Sequence, residues 1–168
     1  IAQAHILWST GQSGKVVLFA EGAQRALVKM VDAGSITTGD PDYQALWGES
    51  LSFQSLVALY AGDLNGAVEL AKQSVDMLPG ISLYRGFALG GLYSAYRALG
   101  QLDLFIETCL EAIEVTREVN YPSMYTSTVY SLVEVMTVKG QLQRALEISQ
   151  DCLEHGEKTG QSRVFCYG

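Results

Sequence analysis

A recurring turn signature constrains this chain more than any other feature. The segments opening at Gly14, Gly62, Gly100 and Gly140 read GKVVLFAE, GDLNGAVE, GQLDLFIE and GQLQRALE. They share a glycine, a polar residue, Leu or Val, two variable residues, Ala or Phe, an apolar residue, and a closing Glu. The glycines are spaced 48, 38 and 40 residues apart. A period near 40 is the mark of a stacked helical-hairpin repeat, in which each unit buries its apolar face on the next.

The residues around each glycine fit that reading. Apolar-rich helical runs precede three of them, over 51–61, 81–99 and 125–139. A glycine there adopts the left-handed conformation that ends a helix and turns the chain. Downstream, Leu64, Ala67, Val68, Ala71, Val75 and Leu78 follow the i, i+3, i+4, i+7 rule, as do Leu142, Ala145, Leu146, Ser149, Cys152 and Leu153. The fifth residue after the glycine (Phe19, Ala67, Phe105 or Ala145) is expected to face the partner helix, with Gly90 and Gly91 making room near Phe105. Pro41, Pro79 and Pro122 are expected to open first helices, where a missing N–H costs nothing. Asp40 is the expected N-cap before Pro41. Residues 32–40 read as the one long loop. The predicted helices are 1–12, 15–32, 41–61, 63–78, 80–99, 101–119, 122–139 and 141–158, grouped into repeats 1–32, 41–78, 80–119 and 122–158. Residues 161–168 open a fifth. No β pattern of any length is present. The fold class is therefore all-α, one domain of about four antiparallel hairpins over 1–168.

Composition narrows the function. The 168 residues carry a formal charge of −7, unsuited to holding a phosphate backbone, so direct nucleic-acid binding is not expected. No window is apolar enough for a membrane span. Cys109, Cys152 and Cys166 are an odd set without CxxC spacing, expected as reduced thiols in a cytoplasmic protein rather than disulfides or zinc ligands. The chain opens at Ile1 and stops after an apolar stretch, which predicts a piece of a longer protein.

Motifs that mimic chemistry fail on inspection. The 9–16 segment, STGQSGKV, lacks the first glycine and the magnesium-binding hydroxyl of a phosphate loop, and no strand precedes it. His5 and His155 lie near opposite ends of the chain, and neither a Ser/His/Asp nor a Cys/His arrangement can be drawn. Glu21, Glu69, Glu107 and Glu147 recur at one repeat position and read as solvated carboxylates near helix N-termini. No catalytic residue, metal site or cofactor is expected. The tyrosines Tyr84, Tyr93, Tyr96, Tyr121, Tyr125 and Tyr130 cluster around the first helices of repeats three and four. They serve either inter-repeat packing or a binding surface.

With Leu51, Ala67, Ala71 and Pro79 in the second repeat and Leu89, Leu92, Tyr96 and Ala112 in the third, the chain resembles a tetratricopeptide (TPR) array. It departs from the motif at Tyr93 and Val133, where a small residue is usual, at the two phenylalanines, and in its longer period. The runs LYAGDL (59–64) and YRALGQLD (96–103) are similar to repeats of large LuxR-type ATP-dependent transcription regulators, such as the maltose-regulon activator. The resemblance implies a right-handed superhelix and a sensor region. That region would receive an inducer or regulatory protein and relay it to ATPase and DNA-binding domains elsewhere in the parent chain. A TPR scaffold docking a partner in a kinase or cyclase system is the alternative. In TPR arrays first helices line the concave groove. Carried over, the groove positions are Glu49, Ser52, Leu56 and Leu59; Phe87, Gly90, Ser94 and Arg97; and Ser127, Tyr130, Glu134 and Thr137. Arg97 and Glu134 are expected on neighbouring first helices, with Tyr130 one turn from Glu134. The end faces around Ile6, Leu7 and Leu18, and around Val164 and Phe165, are expected to be apolar and exposed, and to favour homodimerisation.

Overall fold

The computed structural model describes residues 2–160. Eight helices follow one another: α1 (Ala2–Ser9), α2 (Ser13–Asp32), α3 (Pro41–Tyr60), α4 (Leu64–Met77), α5 (Leu83–Ala98), α6 (Leu102–Glu118), α7 (Pro122–Val138) and α8 (Leu142–Thr159). No strand occurs among the described residues. Consecutive helices pair as antiparallel hairpins, and each hairpin packs on the next through its first helix. The architecture is a TPR-like α-α superhelix. Residues 161–168, including Val164, Phe165 and Cys166, lie outside the described residues.

The hairpin turns are nearly identical. Gly11, Gly62, Gly100 and Gly140 all have positive φ, between 73° and 84°. The N–H after each glycine donates to a carbonyl five residues back: Gln12 to Leu7 (2.8 Å), Asp63 to Ala58 (3.0 Å), Gln101 to Tyr96 (2.9 Å) and Gln141 to Met136 (2.9 Å). This Schellman closure satisfies carbonyls the helix end would leave bare.

The first turn glycine is thus Gly11, and Gly14 lies inside α2. The expected register of the first repeat is corrected by three residues. Five places after each true turn glycine stand Val16, Ala67, Phe105 and Ala145, all buried. Phe19 is not the partner-facing residue; it is 39% exposed. Glu21 likewise leaves the recurrent set and pairs with Arg25 one turn on. Nine places after the glycine stand Ala20, Ala71 and Cys109, all fully buried, where small side chains let the helices approach.

Other expectations need correction. Pro79 does not open a helix. It follows Leu78, the extended residue that ends α4, and α5 starts later, at Leu83. Ser82 caps it by accepting from the Arg85 N–H at 3.1 Å. Pro41 and Pro122 do open α3 and α7. Asp40 does stand at the N-cap of α3, but its carboxylate accepts from the Thr37 N–H at 2.6 Å, so the side chain closes the loop and leaves the helix's first N–H groups without it. α1 ends at Ser9, not residue 12, because Gly11 turns the chain. The Gly90–Gly91 pair does not accommodate Phe105, which instead packs edge-on against Tyr93 at 5.9 Å. Gly91 faces α3: a Cβ there would meet Ser55 Oγ at 2.9 Å, whereas one at Gly90 would meet nothing within 4 Å.

The main core lies between α5, α6, α7 and α8, with Leu92, Phe105, Ile106, Cys109, Tyr125, Leu132 and Met136 in one cluster. Buried hydroxyls tie helix to helix: Ser50 of α3 donates to the Ala20 carbonyl of the preceding hairpin (2.8 Å), and Ser74 of α4 to the Gly48 carbonyl within its own hairpin (2.7 Å). Arg85 joins three elements. Its guanidinium donates to the Val75 carbonyl (2.7 Å) at the end of α4 and to Glu111 of α6 (2.6 Å). Six residues after the turn glycine, Val68 and Ile106 pack into the core, yet Leu146 is 52% exposed. Their cover comes from the helix of the following hairpin, and no described helix follows α8. Ile6, Leu18 and Leu142 are exposed as well.

Candidate interaction groove

The first helices α3, α5 and α7 lie side by side, and between them runs a groove of about 280 Å³. Leu56 and Leu59 supply one wall, Phe87, Gly90 and Ser94 the floor, and Ser127 the far side. These six residues were read from the sequence as groove positions. Tyr60, Tyr93, Tyr121, Ser123 and Met124 complete the lining. Tyr60 and Tyr121 come from helix ends and Ser123 and Met124 from the first turn of α7, so periodicity did not flag the site they share. The proximity of Tyr121 to Pro122 was the available signal: a helix opening there brings the preceding side chain to the groove mouth.

The remaining sequence-read positions fall elsewhere. Ser52 is fully buried and turns its hydroxyl back to the Glu49 carbonyl (2.7 Å). Arg97 and Glu134 stand on neighbouring first helices and form an ion pair at 2.8 Å with both side chains about two-fifths exposed (42% and 44%). Such a pair is worth under about 1 kcal/mol. Tyr130 and Thr137 are exposed on α7, outside the groove.

At the α1 side, rings pack in a ladder that runs from α1 through α3 and α5 to the residue before α7. His5 of α1 lies 5.5 Å from Phe87 and 6.1 Å from Tyr84, both edge-on. Phe53 of α3 meets Tyr84 at 5.8 Å, and Phe87 meets Tyr121 at 6.1 Å. Glu49 sits one turn before Phe53 on α3, half-buried. Burial raises its carboxyl and outweighs the positive charge of the N-terminus, which pulls it the other way. Burial, and then the Glu49 charge, raise the Tyr84 phenol.

Three of the tyrosines serve packing. Tyr96 and Tyr125 are buried in the core, and Tyr93 shares a hydrogen bond with Thr128 at 3.4 Å. Tyr125 also accepts from Arg117 (3.2 Å), which pairs with Asp151, and its ring lies 4.9 Å from that of His155. Among the described residues no group of three His, Cys, Asp or Glu is placed to hold a metal. No described helix is long and apolar enough to cross a membrane.

No protein-family model and no curated relative matches the chain. Two solved structures do. One is of TPR-like, nearly identical repeats of a Podosopora anserina protein assigned as a kinesin light chain, 21% identical, with a TM-score of 0.62. The other is a glutamine-to-methionine variant of it, 21% identical, with a TM-score of 0.63. The alignments cover 94% and 96% of this chain and 74% of those chains. At that identity the likeness is one of fold.

Proposed function

We propose that this array is an interaction scaffold that seats an extended segment of a partner protein in the groove between α3, α5 and α7. The observation that carries the reading is the lining: apolar side chains and rings with hydroxyls, and no charged side chain. Rings give large contact area at low entropic cost, and the Tyr and Ser hydroxyls supply hydrogen bonds to a peptide backbone. Open solvent above Gly90 leaves room for a partner's chain to approach the helix backbone.

The finer reading is a sensor region of a LuxR-type transcription regulator, taking an inducer or regulatory protein and relaying it to ATPase and DNA-binding domains. The runs at 59–64 and 96–103 support it. A helix-turn-helix following residue 168 in the parent chain would favour it over the kinase or cyclase scaffold. Self-association through the ends is part of the same proposal, supported by exposed Leu142 and Leu146 on α8. Sedimentation showing a monomer at high concentration would refute that part.

The groove is tested by titrating isotope-labelled protein with a degenerate octapeptide library and following amide signals. Phe87, Gly90, Ser94 and Ser127 should move, and Gly90→Trp should abolish the response while leaving helix content unchanged. Shifts confined to α2, α4, α6 and α8 would place the site elsewhere.

A further inference from the structure

The ring ladder and Glu49 make the α1 side of the groove chemically distinct. His5, Phe53, Tyr84 and Phe87 bring ring centroids within 5.5–6.4 Å of one another. Glu49 stands on the same face of α3 as Phe53, half-buried. None of the described Lys, Arg or His side chains forms an ion pair with it, and the positive charge at the chain's N-terminus offsets its burial only in part. Elsewhere the first helices do pair their charges, as Arg97 with Glu134 and Arg85 with Glu111. A carboxylate held half out of water beside rings, and only partly compensated, gains from a further cation that joins it. A cation gains from both partners, the carboxylate charge and the ring faces. The chain's charge of −7 adds a field that draws cations in.

The spacing along α3 extends the argument. Leu56, which opens the apolar groove, is seven residues beyond Glu49, about 10 Å at 1.5 Å per helical residue. An extended peptide covers that span in about three residues at about 3.3 Å each.

We infer that the groove selects a basic segment: a Lys or Arg side chain seated on Glu49 and the Tyr84 ring, with an apolar side chain about three residues away in the Leu56–Phe87 groove. This inference rests on the proposed use of the groove and adds the chemistry of its occupant. Partner selection then lies in one charge, while the uncharged groove supplies area.

The probes are octapeptide libraries with blocked ends, one position fixed as Lys, Arg, Leu or Glu and the others drawn from uncharged residues. Binding is read by fluorescence anisotropy. Lys- and Arg-fixed libraries should bind at least about five-fold more tightly than the Leu-fixed one, with the Glu-fixed one weakest. Glu49→Gln should remove that preference and spare Leu-library binding. Glu107→Gln, an exposed carboxylate on α6, should leave the preference intact. Tyr84→Leu, which keeps an apolar side chain, should reduce it. Circular dichroism confirms that each variant folds. Equal affinity for all libraries overturns the inference, as does equal loss in Glu107→Gln and Glu49→Gln. In those cases Leu-library binding that Gly90→Trp abolishes leaves the groove reading standing. Binding that survives Gly90→Trp, or no binding by any library, overturns both.

Discussion

Gly90 and Gly91 are chain neighbours in one helix, and the structure assigns opposite outcomes to the same substitution at each. Both lie inside α5 with helical backbone, so alanine gains about 1 kcal/mol of helix propensity at either. At Gly90 the added methyl meets nothing within 4 Å. Gly90→Ala should therefore stabilise by up to about 1 kcal/mol, or about 2–4 °C in Tm for a chain of this length. At Gly91 the methyl meets Ser55 Oγ at 2.9 Å. Ser55 cannot yield freely, because it is buried and its hydroxyl donates to the Ser52 carbonyl at 2.8 Å. Overpacking of this kind costs about 1–3 kcal/mol. Set against the propensity gain, Gly91→Ala should destabilise by about 1 kcal/mol. Removing the hydroxyl leaves Ser55 Cβ at 3.8 Å and Leu56 Cδ2 at 3.5 Å, both ordinary contacts. In a Ser55→Ala background Gly91→Ala should then stabilise, giving a coupling of about 2 kcal/mol. Urea unfolding followed at 222 nm for the four proteins of the cycle measures it. Coupling below about 0.5 kcal/mol would show that Ser55 is not the obstacle and that the α3–α5 contact has been misread.

Arg85→Met should cost about 2 kcal/mol, read by the same unfolding assay, because it leaves the Val75 carbonyl and Glu111 without their donor; Arg85→Lys should recover part of it. The Tyr125 phenol, pushed up to about 12 chiefly by burial, binds its proton more tightly folded than unfolded. Its contribution is complete below the ordinary tyrosine value of about 10 and is lost as pH rises toward 12. Tyr125→Phe should flatten that stretch of the alkaline stability curve. For Glu49 the raised carboxyl means that ionisation opposes folding. Glu49→Gln should raise Tm at pH 7, with the gain vanishing below the ordinary glutamate range; an unchanged gain at acid pH would refute the burial argument. Cys109 and Cys152, both buried with thiols raised by that burial, should resist iodoacetamide until the chain unfolds, as peptide mass mapping would show.

The repeat was legible because one backbone event, a left-handed glycine closing a helix, must recur wherever a hairpin turns. Gly62, Gly100 and Gly140 were read correctly on that basis. The first copy failed because Gly11 and Gly14 are three apart, and side-chain likeness favoured Gly14. Burial shows why the likeness misled. Val16 and Ala20 occupy the places of Ala67 and Ala71, and sequence likeness gave small and branched apolar residues no more weight than the chance match of Phe19 to Phe105. Pro79 misled differently. Proline suits the first turn of a helix and also the extended residues after one, and only Ser82, a true N-cap, distinguishes the two.

The groove shows where helical periodicity stops being informative. Positions carried along a first helix locate Leu56, Phe87 and Ser127 because those residues share a face whatever the repeat packs against. They say nothing of depth, and depth separates Ser52, sealed under its own helix, from Ser94, which lines the groove. Depth depends on how closely neighbouring first helices approach, and Gly91 against Ser55 sets that approach for α3 and α5. A larger residue at 91 would push α5 away from α3 and widen the cleft beside Leu56 and Phe87. The groove's width is therefore fixed by a contact on its buried side, and stability at Gly91 and the open space above Gly90 are two consequences of one helix spacing.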